Sequence, residues 1–300
     1  MRCIKQAAIR LVPAIVLLSA ASTAGRAQEP AEVRMSDTAS QPENLTSTAD
    51  GTLYFGSMAS GTIYRAAPRA AQAEPWILAD RIGLSRTLGV LADEASNTLW
   101  VCQNSTGGRD GAPVEGQTAL RSFELTTGAP RATYDLPSNG GVCNDMTVAA
   151  DGSVYVTESF ANRVHLLRPG TAGLEIWIAD SLLDAVDGIA LLADGAVYVN
   201  TFSSGRLFRI PVHADGSAGP LTPIETSLPL IRPDGLRATG PMTLVQAEQG
   251  GRLAELTVSG NRAELRVIRD GLTRPSGVTI VGPTAFVLVE FARAVAVPYP

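Results

Sequence analysis

Asp50-Gly51-Thr52-Leu53-Tyr54-Phe55 recurs as Asp151-Gly152-Ser153-Val154-Tyr155-Val156 and as Asp194-Gly195-Ala196-Val197-Tyr198-Val199. In each copy a turn dipeptide, whose glycine supplies a positive φ, leads into β-branched and aromatic residues, the pattern of a tight hairpin. Looser copies run Thr98-Leu99-Trp100-Val101, Thr243-Leu244-Val245-Gln246 and Thr284-Ala285-Phe286-Val287, so the repeats start at 52, 98, 153, 196, 243 and 284. A third β-run follows each, as at Arg163 to Arg168 and Arg206 to Val212, and a fourth follows most, as at Glu175 to Ala179.

Four antiparallel strands in a unit of about 40 to 55 residues make a propeller blade. The expected fold class is therefore all-β, a six-bladed β-propeller with four-stranded antiparallel blades, occupying residues 28–300 as one domain. Its inner strands should start near 43, 87, 144, 187, 234 and 276. The last repeat has only three strands before Pro300, and Glu32 to Met35 is expected to supply the missing outer strand, closing the ring and covering two sheet edges.

Composition narrows the function. Arg2, Lys5 and Arg10 precede the apolar run Leu11 to Ala21 and small residues ending at Ala27, so residues 1–27 read as a cleaved secretory signal. The expectation is a periplasmic or secreted protein with no membrane span, because no later run approaches about 18 apolar residues. The signal removes four of the 24 basic residues and none of the 29 acidic ones. That leaves 20 basic against 29 acidic, a balance that argues against nucleic-acid partners. Lys5 is the only lysine, so Schiff-base chemistry is excluded from the mature chain, and two histidines, His165 and His213, are too few for a His-rich zinc site. Cys102 and Cys143 remain as a disulfide candidate: in the propeller they end one blade's second strand and precede the next blade's inner strand, with two free thiols as the alternative.

In a propeller the residues that start the inner strands line one mouth of the central channel. There the chain places Glu43, Asn144, Asp187 and Asp234, three carboxylates and an amide oxygen, a set suited to a hard divalent cation. The competing reading is that Asp-Gly and Asn-Asp are ordinary turn formers. Asn104, Glu158, Glu248 and Glu290 end second strands that return to the same mouth; Asn104, Glu158 and Glu290, with Arg232, are candidate substrate contacts beside Asn144. The three tryptophans read as packing between blades.

Glu43, Asn144-Asp145, Asp187-Gly188 and Arg232-Pro233-Asp234-Gly235, at their spacing, resemble the SMP-30/gluconolactonase/LRE-like family over residues 40 to 300, with a more distant likeness to strictosidine-synthase-like propellers. The resemblance implies that Glu43, Asp187 and Asp234 bind a divalent metal, Ca²⁺ first with Mg²⁺ or Zn²⁺ as alternatives. It implies that Asn144 lies beside metal and substrate, and that Asp234 is also the catalytic base; Arg232, two residues away, is expected to keep that carboxylate ionised. The expected activity is hydrolysis of a sugar lactone or related ester by metal-activated water. Asp187 stands where the family commonly has Asn, and Val142 where it has a substrate-gripping Arg. A non-catalytic propeller that binds a small ligand or a protein partner is the alternative reading.

Overall fold

The structure, a computed structural model, describes residues 30–105, 118–137 and 141–300. The expected signal segment lies outside the described residues. The chain opens with β1 (Glu32–Met35), then β2 (Pro42–Ser47), β3 (Leu53–Ser57), β4 (Ile63–Ala66) and β5 (Gln72–Ile77). A short helix α1 (Ala79–Ile82) leads to β6 (Thr87–Asp93), β7 (Thr98–Gln103), β8 (Ala119–Glu124) and β9 (Pro130–Asp135). Next come β10 (Val142–Val148), β11 (Val154–Ser159), β12 (Arg163–Leu167) and β13 (Glu175–Ala179), then β14 (Val186–Leu191), β15 (Ala196–Thr201), β16 (Arg206–Pro211) and β17 (Thr222–Thr226). The last are β18 (Pro233–Gly240), β19 (Thr243–Glu248), β20 (Arg252–Ser259), β21 (Arg262–Arg269), β22 (Val278–Val281), β23 (Thr284–Val289) and β24 (Arg293–Pro298).

The fold is all-β and propeller-like. β6 to β9 and β10 to β13 form four-stranded antiparallel meanders, while two eight-stranded sheets each join two further meanders through their outer strands. One runs β14-β15-β16-β17-β21-β20-β19-β18, with β17 and β21 parallel. The other runs β2-β3-β4-β5-β1-β24-β23-β22, and β1 is its seam, antiparallel to β24 and parallel to β5. The N-terminal strand therefore does complete the last repeat. β22 begins at Val278 rather than near 276, although Ser276 N still donates to Leu288 O and Leu288 N to Gly277 O.

Local chemistry explains the hairpins. Asp50, Asp151 and Asp194 each accept from the amide two residues on, at 2.9, 2.9 and 3.1 Å, while Gly51, Gly152 and Gly195 take the left-handed φ. The first strands are more buried than the last, β2 nearly throughout against a mostly exposed β9, and apolar layers form between neighbouring meanders. Tyr54, Ile63, Val90, Leu99 and Phe123 form one such layer. Trp76 packs on Tyr54 and Trp177 on Tyr155, at ring distances of 5.2 and 4.7 Å, and Trp100 lies 6.3 Å from Tyr134. A disulfide joins Cys102 of β7 to Cys143 of β10 across two meanders.

Candidate functional site

Asp187-Gly188 and Asp234-Gly235 are not turns. They lie inside β14 and β18, at places where the pairing register shifts: between Val186 and Ile189, and between Pro233 and Leu236. Equivalent shifts occur between Pro42 and Leu45, Thr87 and Val90, and Cys143 and Met146. A bulge re-aims the side chain it carries, and these bulges carry Glu43, Asn144, Asp187 and Asp234. The glycines serve another purpose. A Cβ on Gly188 would come within 2.3 Å of Asp234 O, and one on Gly235 within 2.7 Å of Ser276 O, so each glycine lets its inner strand touch the next one around the channel.

Glu43, Asn144, Asp187 and Asp234 are 7, 6, 8 and 3 % exposed. Their charges act on one another across three strands. Burial, then repulsion from Asp145, pushes Glu43 up to about 8, with Arg237 and Arg86 pulling the other way. Burial, Glu43 and Asp145 raise Asp187 well above the usual carboxylate range, partly offset by a hydrogen bond with Asn144. Burial, Asp187 and Glu43 do the same to Asp234. Glu43 Oε2 and Asn144 Oδ1 are buried with no hydrogen-bond partner. Two unpartnered acceptors beside three raised carboxyls make a donor set that fits a hard cation. Yet among the described residues no three His, Cys, Asp or Glu side chains form a metal-holding group. Electrostatic coupling reaches further than a coordination bond, so raised carboxyls do not by themselves make a ligand shell.

Raised carboxyls have a consequence for stability. Between pH of about 5 and 8 the folded chain keeps the Glu43 proton that an unfolded chain, with its ordinary value of 4.5, has lost. The unfolded state binds fewer protons there, so unfolding free energy should fall as pH rises through that window, and Asp187 and Asp234 add in the same direction. Urea melts of chelator-treated protein should show this fall, and Glu43→Gln should flatten it. A wild-type profile flat from pH 5 to 8 would mean that these carboxyls are solvated.

The structure separates the other candidates. Arg232 does not hold Asp234 ionised: its guanidinium stacks over Phe202 at 4.6 Å and donates to Gln249 Oε1 at 3.2 Å. Gln249 in turn donates from Nε2 to Asp234 Oδ2 at 2.8 Å, so a residue that sequence reasoning missed positions the proposed base. The Asn104 amide is committed to the Cys143 backbone, accepting from its N–H at 2.9 Å and donating to its C=O at 2.8 Å. Glu158 is fully buried, with His165 Nε2 at 2.7 Å and Arg163 Nε at 3.0 Å from one carboxylate oxygen. Asn104 and Glu158, expected at the substrate, are thus both engaged by neighbouring groups of the protein. Glu290 is exposed at the mouth and paired with Arg293. Val142 is half-buried and pairs with Ser159.

A second missed residue is Arg237. It grips Asp145 with both terminal nitrogens, at 2.6 and 3.2 Å, and reaches Asn44 Oδ1 at 3.2 Å, tying three meanders across the channel. Register aligns Arg237 with Thr46, Leu91, Thr147 and Ala190, so a charge at an otherwise uncharged inner position was the available signal.

Neither the family models nor the curated proteins give a match to the sequence. Solved structures do. A gluconolactonase from Xanthomonas campestris superposes with a TM-score of 0.65 at 16% identity, covering 88% of each chain. The chain shares the fold of these propeller enzymes. A luciferin-regenerating enzyme gives 0.63 at 13% identity over 88% of this chain and 92% of its own. A virginiamycin B lyase from Staphylococcus aureus gives 0.61 at 16% identity over 90% and 98%. Enzymes of different chemistry thus share this scaffold, so function must be argued from the site.

Proposed function

We propose that this chain is a six-bladed, exported propeller that hydrolyses a lactone or related carboxylic ester at the mouth of its channel. The observation that carries the reading is the electrostatic linkage of three carboxyls on bulged inner strands, Glu43 raising Asp187 and both raising Asp234, together with buried unpartnered oxygens on Glu43 and Asn144. The six-blade count reads each eight-stranded sheet as two blades sharing an outer seam, and the likeness to a gluconolactonase adds support.

Glu43, Asp187, Asp234 and Asn144 would hold a divalent cation, Ca²⁺ by their all-oxygen donor set. Bound there, the cation would offset the carboxylate repulsion and polarise an ester carbonyl. Asp234 takes a proton from the attacking water as the water oxygen bonds to the carbonyl carbon. The acyl–oxygen bond of the ring then breaks, and Asp234 returns the proton to the departing ring oxygen. A carboxyl raised above its ordinary range is the stronger base once ionised and holds the proton it takes more firmly. Gln249 fixes the orientation of the carboxyl by donating to Oδ2, so Oδ1 is presented to the site in one direction.

The test is hydrolysis of a panel of aldonolactones and simple γ-lactones by the mature protein, before and after chelation, with calcium titration calorimetry alongside. The expected result is ring opening that chelation removes and Ca²⁺ restores. Calcium binding with no hydrolysis across the panel would favour the non-catalytic alternative, a ligand-binding propeller, for which Val142 speaks because it removes an expected substrate-gripping cation.

A further inference from the structure

We propose that the mouth beside Glu43 is a subsite for a carboxylate, so that the ligand of this site is an acidic lactone or ester rather than a neutral sugar ring; the lactone part rests on the proposed function, the carboxylate part does not. A recess of about 630 Å³ is lined by Gln41, Met58, Arg86, Arg274, Glu290 and Phe291. Three meanders build it: Gln41 and Met58 flank β2 and β3, Arg86 precedes β6, and the other three flank β22 and β23. It adjoins the carboxylates, since Gln41 lies two residues from Glu43 and the charge of Arg86 acts on the Glu43 carboxyl.

The chemistry of the recess is that of anion binding. No carboxylate among the described residues forms a salt bridge with Arg86 or Arg274, whereas Glu290 is engaged by Arg293. Two guanidiniums without a salt bridge to a described residue thus line one recess on a chain whose net charge is −5. Both are held in place from one side. Arg274 stacks on the Phe291 ring at 4.6 Å, and Arg86 Nη2 lies 3.9 Å from Met58 Sδ. Stacking on an aromatic face leaves the N–H edge of a guanidinium free for a planar carboxylate, and a side chain already held loses less freedom on binding. Phe291 and Met58 also supply an apolar wall for the carbon skeleton between carboxylate and ester.

The backbone sets where these side chains leave the fold. Gln41 and Arg274 have φ of 48° and 47°, and Ala185 and Arg232, which also stand just before a first strand or its opening proline, have 48° and 54°, so this left-handed step belongs to the repeat and carries each such residue to the mouth.

The test uses the mature protein with glutarate as an inert dicarboxylate probe in calorimetry, and with 5-oxotetrahydrofuran-2-carboxylate and its methyl ester as substrates. Arg86 and Arg274 are exposed, so Arg86→Gln and Arg274→Gln should fold. Each should weaken glutarate binding about tenfold or more, the scale of a lost charge-assisted hydrogen bond. Arg262→Gln, on the outer seam, should leave it unchanged. The acid should be hydrolysed with higher kcat/KM than the ester, and each mouth variant should bring the acid-to-ester ratio of kcat/KM toward one. Glutarate binding that requires both arginines, with no lactone hydrolysed, would keep the subsite and overturn the lactonase reading. Equal hydrolysis of acid and ester with silent arginine variants would do the reverse. Equal weakening by Arg262→Gln would reduce the effect to net charge and overturn the subsite.

Discussion

Asp234→Asn is expected to lower lactone hydrolysis by about 100-fold or more while leaving the fold intact. The substitution keeps the shape of a side chain that is 3 % exposed and keeps an oxygen to accept from Gln249 Nε2. What it removes is the group that exchanges a proton with water, a contribution worth roughly 10²- to 10⁴-fold when a positioned base is lost. It also removes one of three mutually repelling carboxyls, so calcium affinity should fall and the chelated variant should melt no lower than wild type. Gln249→Leu separates positioning from chemistry: kcat should drop less than in Asp234→Asn, and a Gln249→Glu variant should not rescue it because a carboxylate cannot donate. The readouts are kcat on the best lactone of the panel, calorimetric calcium affinity and a thermal melt. Retention of more than about a tenth of wild-type kcat by Asp234→Asn would move the base elsewhere.

How much of this could be read from the sequence depended on how far each signal reaches along the chain. Asp50-Gly51, Asp151-Gly152 and Asp194-Gly195 were legible as hairpin turns because everything that makes them turns, the aspartate's own bond to an amide two residues on and the glycine φ, lies within three residues. Asp187-Gly188 and Asp234-Gly235 spell the same dipeptide and do something else, because their glycines answer to a carbonyl on the neighbouring inner strand. Only the repeat register, which set them beside Glu43 and Asn144, distinguished the two uses. Arg237 shows the same limit. Register aligns Asn44, Gly89, Asp145, Gly188 and Gly235; the two that are not glycine are the two that Arg237 grips, 193 and 92 residues away. A pairing at that separation leaves no local trace. Arg232 misled for a related reason: nearness in sequence to Asp234 suggested a charge partner, whereas its left-handed φ of 54° and the Phe202 ring turn it outward.

Removal of β1 should destabilise the protein more than any single side-chain change, because this short strand is the seam of an eight-stranded sheet. Deleting residues 30–36 takes away Val33 and Met35, 1 and 5 % exposed, from a cluster with Leu45, Phe55, Tyr64, Phe286 and Leu288. Burial of two such side chains contributes about 1.5 to 3 kcal/mol each. The deletion also breaks bonds on both sides of the strand, among them Arg34 N to Ala71 O, Ser36 N to Ala73 O and Ala296 N to Ala31 O, each worth roughly 0.5 to 1.5 kcal/mol net. The total is about 5 kcal/mol or more, comparable to the whole stability of many domains. β5 and β24 would then present bare edges, so aggregation should rise with the fall in Tm, which at this chain length is at least about 10 °C. Glu43, Asn144, Asp187 and Asp234 lie on β2, β10, β14 and β18, none of which pairs with β1, so calcium binding near 4 °C should survive in the soluble fraction. The double variant Val33→Ala, Met35→Ala divides the effect, since it keeps the backbone ladder and loses only the apolar contacts; it should melt between wild type and the deletion. If the deletion melted like the full chain, β1 would contribute nothing at the seam and the termini would not close the ring.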